Sequence, residues 1–149
     1  MLTAAFWNTN VRDNTNALPR GVLGFFTTST NFATSGTHTT FQDDGLTVSA
    51  TYEGNRRLRV LITWTLYVPG GANSITFKVL RGSTEIVQGS VDSVSLAVGG
   101  GNLFSFAFDF AGPATGATET FKTQIRGSSN TQVATFAYKT ITVEDVGPV

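Results

Sequence analysis

The side chains best suited to chemistry in this chain are few and scattered. His38 is the only histidine, and it stands among threonines in a polar stretch. A catalytic histidine needs a nucleophile beside it and an acid to orient its ring, and no G-x-S-x-G elbow is present to supply the nucleophile. His38 therefore reads as a solvated loop residue. Asp43-Asp44 and Glu144-Asp145 are the adjacent acidic pairs. Calcium asks for six or more oxygen ligands, yet the EF-hand spacing is missing and no third carboxylate lies near either pair in sequence. Glycoside hydrolysis would need two carboxylates facing one cleft, and the ten acids are spread mostly over turns. The triplet Gly99-Gly100-Gly101 is followed by a strand pattern and no Lys-Ser/Thr, so it is a turn and not a phosphate cradle. The absence of cysteine excludes disulfides, thiolate metal sites and cysteine nucleophiles. No cofactor or metal is expected.

Two further groups are ambiguous by type. Arg56, Arg57 and Arg59 could contact a partner or a glycan, but long cations on the solvated face of a strand are the simpler reading. Phe104, Phe106, Phe108 and Phe110 could stack on sugars, although four phenylalanines on one strand face read more simply as core.

The elements that position these residues are strands. From Arg56 to Pro69, Leu58, Val60, Ile62, Trp64, Leu66 and Val68 are apolar at every second position, which is the period of a strand with one buried face. A slip of one residue would bury Arg57 and Arg59, so the register is specified. In chain order, Val22 to Thr27 is a first strand, and Thr28 to Asp44 a polar loop with a weak strand around Thr37 to Phe41. Leu46 to Tyr52 alternates clearly. Glu53-Gly54-Asn55 then turns the chain into the Arg56 strand, since Gly-Asn supplies positive φ. Ile75 to Val79, Thr84 to Gly89, Val94 to Val98, Phe104 to Phe110, Phe121 to Ile125 and Gln132 to Val143 complete the series. With 12 Phe and 16 Gly in 149 residues, hairpin-length connections and no helical crossovers, the expectation is an antiparallel β-sandwich or jelly roll of eight or nine strands.

Met1 to Leu18 reads differently. Thr3 can cap a helix, and Trp7, Val11, Asn14 and Leu18 form a short a/d-like stripe ended by Pro19. This predicts a short N-terminal α-helix. The chain is accordingly divided into residues 1–20, an anchor and oligomerisation segment, and residues 21–149, the β-sandwich domain. Phe6, Trp7, Val11, Asn14 and Leu18 are its candidate interface residues. Ten basic residues balance ten acidic ones and 13% of the chain is charged, so nucleic acid and anionic membrane are not expected partners. The N-terminus lacks a signal-peptide pattern, and no apolar run is long enough to span a membrane.

Three stretches resemble virion proteins of tailed bacteriophages, especially those of actinobacteria. Leu2-Thr-Ala-Ala-Phe-Trp-Asn-Thr-Asn-Val-Arg-Asp-Asn-Thr-Asn-Ala-Leu18 is similar to their "TAA-x-WN-x-x-VRDN-x-x-AL" segment. Ile141-Thr-Val-Glu-Asp-Val-Gly-Pro148 is similar to their "V-E-D-I/V-G-P" ending. Leu46 to Val60 matches their "strand, Gly-x-Arg-Arg-Tyr-Arg-Val, strand" pattern, with Leu58 in place of the usual Tyr. The resemblance implies a non-enzymatic virion structural protein, made in the host bacterial cytoplasm. It is expected to form a homotrimer on the particle surface as a capsid decoration or head-fibre protein, with the major capsid protein or a tail protein as partner. A minor tail or baseplate protein is the alternative within that class. A carbohydrate-binding receptor module for a host-surface glycan is the alternative outside it, and would need an exposed aromatic or acidic site in the loops 28–44 or 99–102.

Overall fold

A computed structural model describes residues 18–67, 74–92, 101–129 and 132–149. Their regular structure is β1 (Gly21–Thr28), β2 (Phe32–Ala33), β3 (Gln42–Tyr52), β4 (Arg56–Tyr67), β5 (Ile75–Arg81), β6 (Thr84–Val91), β7 (Asn102–Ala111), β8 (Ala117–Gly127) and β9 (Ala134–Pro148). One sheet has the order β1-β9-β4-β7, with β2 also paired to β9, and the other has the order β3-β8-β5-β6. Every pairing is antiparallel. Strands distant in sequence lie side by side in both sheets, which is the interleaved Greek-key order of a jelly roll.

The expected fold of a sandwich plus a short N-terminal α-helix is corrected. Among the described residues there is no helix, and the fold is all-β, two packed antiparallel sheets. Each long described strand carries the two-residue period, and the helical spacing of Trp7, Val11, Asn14 and Leu18 has no counterpart there. Of the segment on which that helix was expected, all but Leu18 lies outside the described residues, as does the strand expected over Val94 to Val98. The weak strand expected over Thr37 to Phe41 is also corrected. Gly36, at φ +63°, turns the chain, and the Thr40 amide closes onto the Thr37 carbonyl at 3.0 Å. Phe41 packs instead beneath two cations, with Lys78 Nζ 4.4 Å and Arg126 Cζ 4.6 Å from its ring centre.

The core lies between the sheets. Leu58, Val60, Ile62, Trp64 and Leu66 of β4 face Leu46, Val48 and Ala50 of β3, Phe77 and Val79 of β5, and Phe121 and Ile125 of β8, all buried. Trp64 is fully buried, with its ring centre 5.1 Å from that of Phe77. Burying each such side chain contributes roughly 1.5–3 kcal/mol before entropy is subtracted. β7 is an edge strand, and its four phenylalanines are only half-buried. They continue the aromatic packing from Phe77 through Phe106, Phe108 and Phe110 to Phe121 at centroid spacings of 5.0, 5.6, 5.9 and 6.1 Å. At the turn that carries the chain from β3 in one sheet to β4 in the other, which is no hairpin because the two strands do not pair, Asn55 takes φ +56°, and a Cβ on Gly54 would stand 2.1 Å from the Ala114 carbonyl oxygen. Only glycine allows that approach.

Candidate functional site

Charged side chains enter the interior at two ends of the sandwich. At the first end, β3 slips from the pair Asp43↔Gln124 to Thr47↔Lys122, a bulge centred on Gly45 at φ +87°. Across the sandwich, β9 slips from Thr140↔Thr63 to Phe136↔Thr65, a bulge that contains Tyr138 at φ +68°. Bulges re-aim side chains, and a positive φ at a bulky residue such as tyrosine is held only by its surroundings. Asp44 and Lys139 stand beside these bulges and point inward, in phase with the buried residues of their strands, each 1% exposed.

The Asp44 carboxylate is an acceptor for donors from three strands. Trp64 Nε1 donates to Oδ2 at 2.7 Å, the Leu46 amide donates to Oδ1 at 3.0 Å, and the Thr123 hydroxyl donates to Oδ1. Burial pushes this carboxyl above the usual range. The bonds from Thr123, Leu46 and Trp64 and the charge of Lys139 pull the other way. Lys139 Nζ donates to the Asp44 backbone carbonyl and, at 3.1 Å, to Thr135 Oγ1. Burial lowers the amine below its ordinary value, and the Asp44 charge partly offsets that. Beside the pair lies a pocket of about 360 Å³, walled by Phe26 and Phe32, rimmed by Thr28, Thr30 and Asn31, and floored by Gly45 and Lys139.

At the opposite end, Arg56 Nε and Nη2 grip the two carboxylate oxygens of Asp145 at 2.8 and 2.9 Å, with the side chains 5% and 1% exposed. Asp145 Oδ1 also accepts from the Gly147 amide at 2.9 Å, and Arg56 Nη2 donates to the Leu18 carbonyl at 2.5 Å. This corrects the placement of all three arginines on the solvated face. Arg56 is in phase with Leu58 and Val60 and is buried, whereas Arg59 points outward to Asp109, donating from Nε and Nη2 at 2.7 and 3.0 Å. Arg59 in turn holds the exposed Asp109 carboxyl below the usual range.

The outer faces of the two sheets differ chemically. On the β1-β9-β4-β7 sheet, the rows Phe25–Thr142–Leu61–Ala107 and Thr27–Thr140–Thr63–Ser105 carry no charge. Arg59, Asp109 and Glu144 gather in a neighbouring row at one end. Phe25 is 60% exposed and Leu103 73%. A shallow depression of about 230 Å³ lies between Leu61, Thr63, Ser105 and Ala107. The other sheet turns Lys78, Lys122, Gln124 and Arg126 outward, with Asp43 accepting from Lys122 and Gln124 at 3.2 and 2.6 Å.

Of the residues expected from sequence to form an interface, Phe6, Trp7, Val11 and Asn14 lie outside the described residues. Leu18 is 61% exposed, and its carbonyl is the one bound by Arg56. His38 is tied into its loop: its Nδ1 lies 3.0 Å from Thr34 Oγ1, and its carbonyl accepts from the Gly127 amide at 2.9 Å. The loop 28–44 does supply aromatic and acidic residues to a pocket, through Phe32, Asp43 and Asp44.

No family model and no curated protein matches this sequence. Solved structures do match in fold. Eiger TNF from S. frugiperda is 13% identical, with a TM-score of 0.54 over 87% of this chain and 96% of that one. The Gt strain structure of infectious bursal disease virus is 15% identical, with a TM-score of 0.51 over 85% of this chain and 32% of that one. The VP2 subviral particle of the same virus is 21% identical, with a TM-score of 0.47 over 87% of this chain and 33% of that one. This chain thus spans about a third of the length of the viral chains it matches. At these identities the likeness is one of fold.

Proposed function

We propose that this protein is a non-enzymatic structural protein of a bacteriophage virion, assembled as a homotrimer on the particle surface as a capsid decoration or head-fibre protein. The observation that carries the reading is the pair of uncharged central rows on the outer face of the β1-β9-β4-β7 sheet, with Arg59, Asp109 and Glu144 in the row at one end. Phe25, Leu61, Ala107 and a set of threonines lie there around a shallow depression, while the opposite sheet turns lysines, arginine and glutamine outward. Depletion of charge at the centre of a patch, with charge at its rim, is the composition of a surface that packs on protein. The residues of the phage-like motifs give a second support. Arg56 of the Gly-x-Arg-Arg stretch and Asp145 of the Val-Glu-Asp stretch are bonded to each other, so the two matched segments form one structural unit. Sister copies meet through the neutral face, and the charged face remains in water. Sedimentation equilibrium on the purified full chain tests the assembly. A mass three times that of the chain supports the reading, and a concentration-independent monomer counts against it.

A further inference from the structure

The edge strands of the sandwich are not finished alike. β1 is broken by a register shift at Val22/Gly24, β3 by one at Asp43/Thr47, and the pairing that carries β6 by one at Val79/Leu80. β7 pairs with β4 without a shift along its whole length, from Arg57↔Ala111 to Leu66↔Asn102. It holds no proline or lysine, and its single charge, Asp109, is already engaged by Arg59. Among the described residues no strand lies on its far side, so half of its N–H and C=O groups point away from β4. Bulges, prolines and lysines keep an edge from pairing with another chain, and β7 has none of them. We propose that β7 is a docking edge, which pairs antiparallel with β7 of a second copy of this chain.

Two observations select that occupant. Phe104, Phe106, Phe108 and Phe110 pack against the core yet stay half-buried, since β7 ends its sheet. An added strand with the same alternation would cover their outer edges while bonding the free backbone. β7 itself has that alternation. Residues directly opposite in an antiparallel pair share a face, and two copies centred on Ala107 satisfy this. Ala107 then meets Ala107, Phe106 meets Phe108, Phe104 meets Phe110, and Ser105 meets Asp109. No like charges are opposed, and every inward ring meets a ring. The same patch serves both copies, so the contact closes as a two-fold pair and leaves no free β7 edge. It uses the edge of the sheet and not its outer face, and it does not depend on the trimeric, virion reading.

The chain has no cysteine, so Ala107→Cys introduces a single thiol, which the two-fold register sets opposite its own copy. Opposed Cα atoms stand about 4.5–5.5 Å apart, within the span of a disulfide. Leu103→Cys, on the same face of the same strand, would stand about 26 Å from its copy at about 3.3 Å per residue. Under mild oxidation of the full chain, Ala107→Cys should give a disulfide-linked dimer at least tenfold faster than Leu103→Cys on non-reducing gels. Equal rates, or no dimer from either, would overturn the proposal, and a threefold mass for the unaltered chain would then leave the trimeric reading standing without it. Charge variants followed by sedimentation separate the edge from the face. Ser105→Asp, set against the partner's Asp109, should weaken dimerisation several-fold, whereas Ser105→Lys should tighten it. Weakening by both variants would overturn the edge register.

Discussion

Asp44→Ala should be among the most damaging single substitutions in this domain, and its cost can be worked out from the partners. The change strands the Trp64 indole N–H and the Leu46 amide, neither of which can rotate to a new acceptor, whereas the Thr123 hydroxyl can turn. A buried donor left unsatisfied costs about 1–3 kcal/mol. Removing the carboxylate also takes away the negative charge that partly offsets the burial of Lys139. We expect about 4 kcal/mol, which at a slope of about 2 kcal/mol/M shifts the urea midpoint by about 2 M. Lys139→Met should cost less than about 1 kcal/mol, because deleting the ammonium relieves the desolvation that offsets its two hydrogen bonds. In the Asp44→Ala background the same change should be stabilising, with a coupling energy of about 1–2 kcal/mol. Urea unfolding of the four proteins, followed by Trp fluorescence, measures the cycle. An Asp44→Ala cost under about 1 kcal/mol, or a Lys139→Met cost equal to it, would refute the reasoning.

Other outcomes follow from the same geometry. Asp145→Ala leaves the Arg56 guanidinium buried without its partner and should cost about 3–5 kcal/mol by chemical denaturation, while Asp109→Ala, at the exposed Arg59 pair, should be nearly silent. Burial, with the hydrogen bond to Glu119 and its charge, pushes the Tyr52 phenol up to about 12 from 10.0. The stability it contributes is complete below pH 10 and is lost as pH rises toward 12. Tyr52→Phe should therefore remove a tyrosinate absorbance step near pH 12 and flatten that loss. Lys139 has the opposite sign. Its amine is held below 10.5, so stability climbs with pH up to that value, and Lys139→Met should abolish the climb in pH-dependent melting. Leu61→Arg, on the neutral outer face, should leave the melting temperature nearly unchanged yet weaken self-association roughly a hundredfold, about 3 kcal/mol, by sedimentation.

Much of the strand layout is legible because period-two patterns are strong where one face is buried. β4 and β7 coincide closely with the stretches whose alternation is cleanest, and Trp64 lies on the buried face that the alternation assigns to it. The same alternation carried a signal that residue type obscured. Asp44 is in phase with Leu46, Val48 and Ala50, Thr123 with Phe121 and Ile125, Lys139 with Ile141 and Val143, and Arg56 with Leu58. Reading polarity before phase puts all four outside, whereas reading phase first puts them in the core, where they must find partners. The partners themselves were not legible. Which buried charge meets which depends on the sheet order, and Lys139 reaches Asp44 across 95 positions of chain. The bulges at Gly45 and Tyr138 were hidden too, since a single glycine in a strand is ambiguous and a tyrosine at positive φ has no sequence signature.

The proposal that this chain is a building block of a virus particle is tested most directly by quantitative mass spectrometry of purified virions. Under that proposal, particles of a phage that carries its gene should retain the chain through density-gradient purification at many copies each, with loss of the chain from particles carrying Leu61→Arg. A few copies per particle would move it to the tail or baseplate. Complete absence from purified particles, with the chain recovered only from the soluble lysate, would contradict the account.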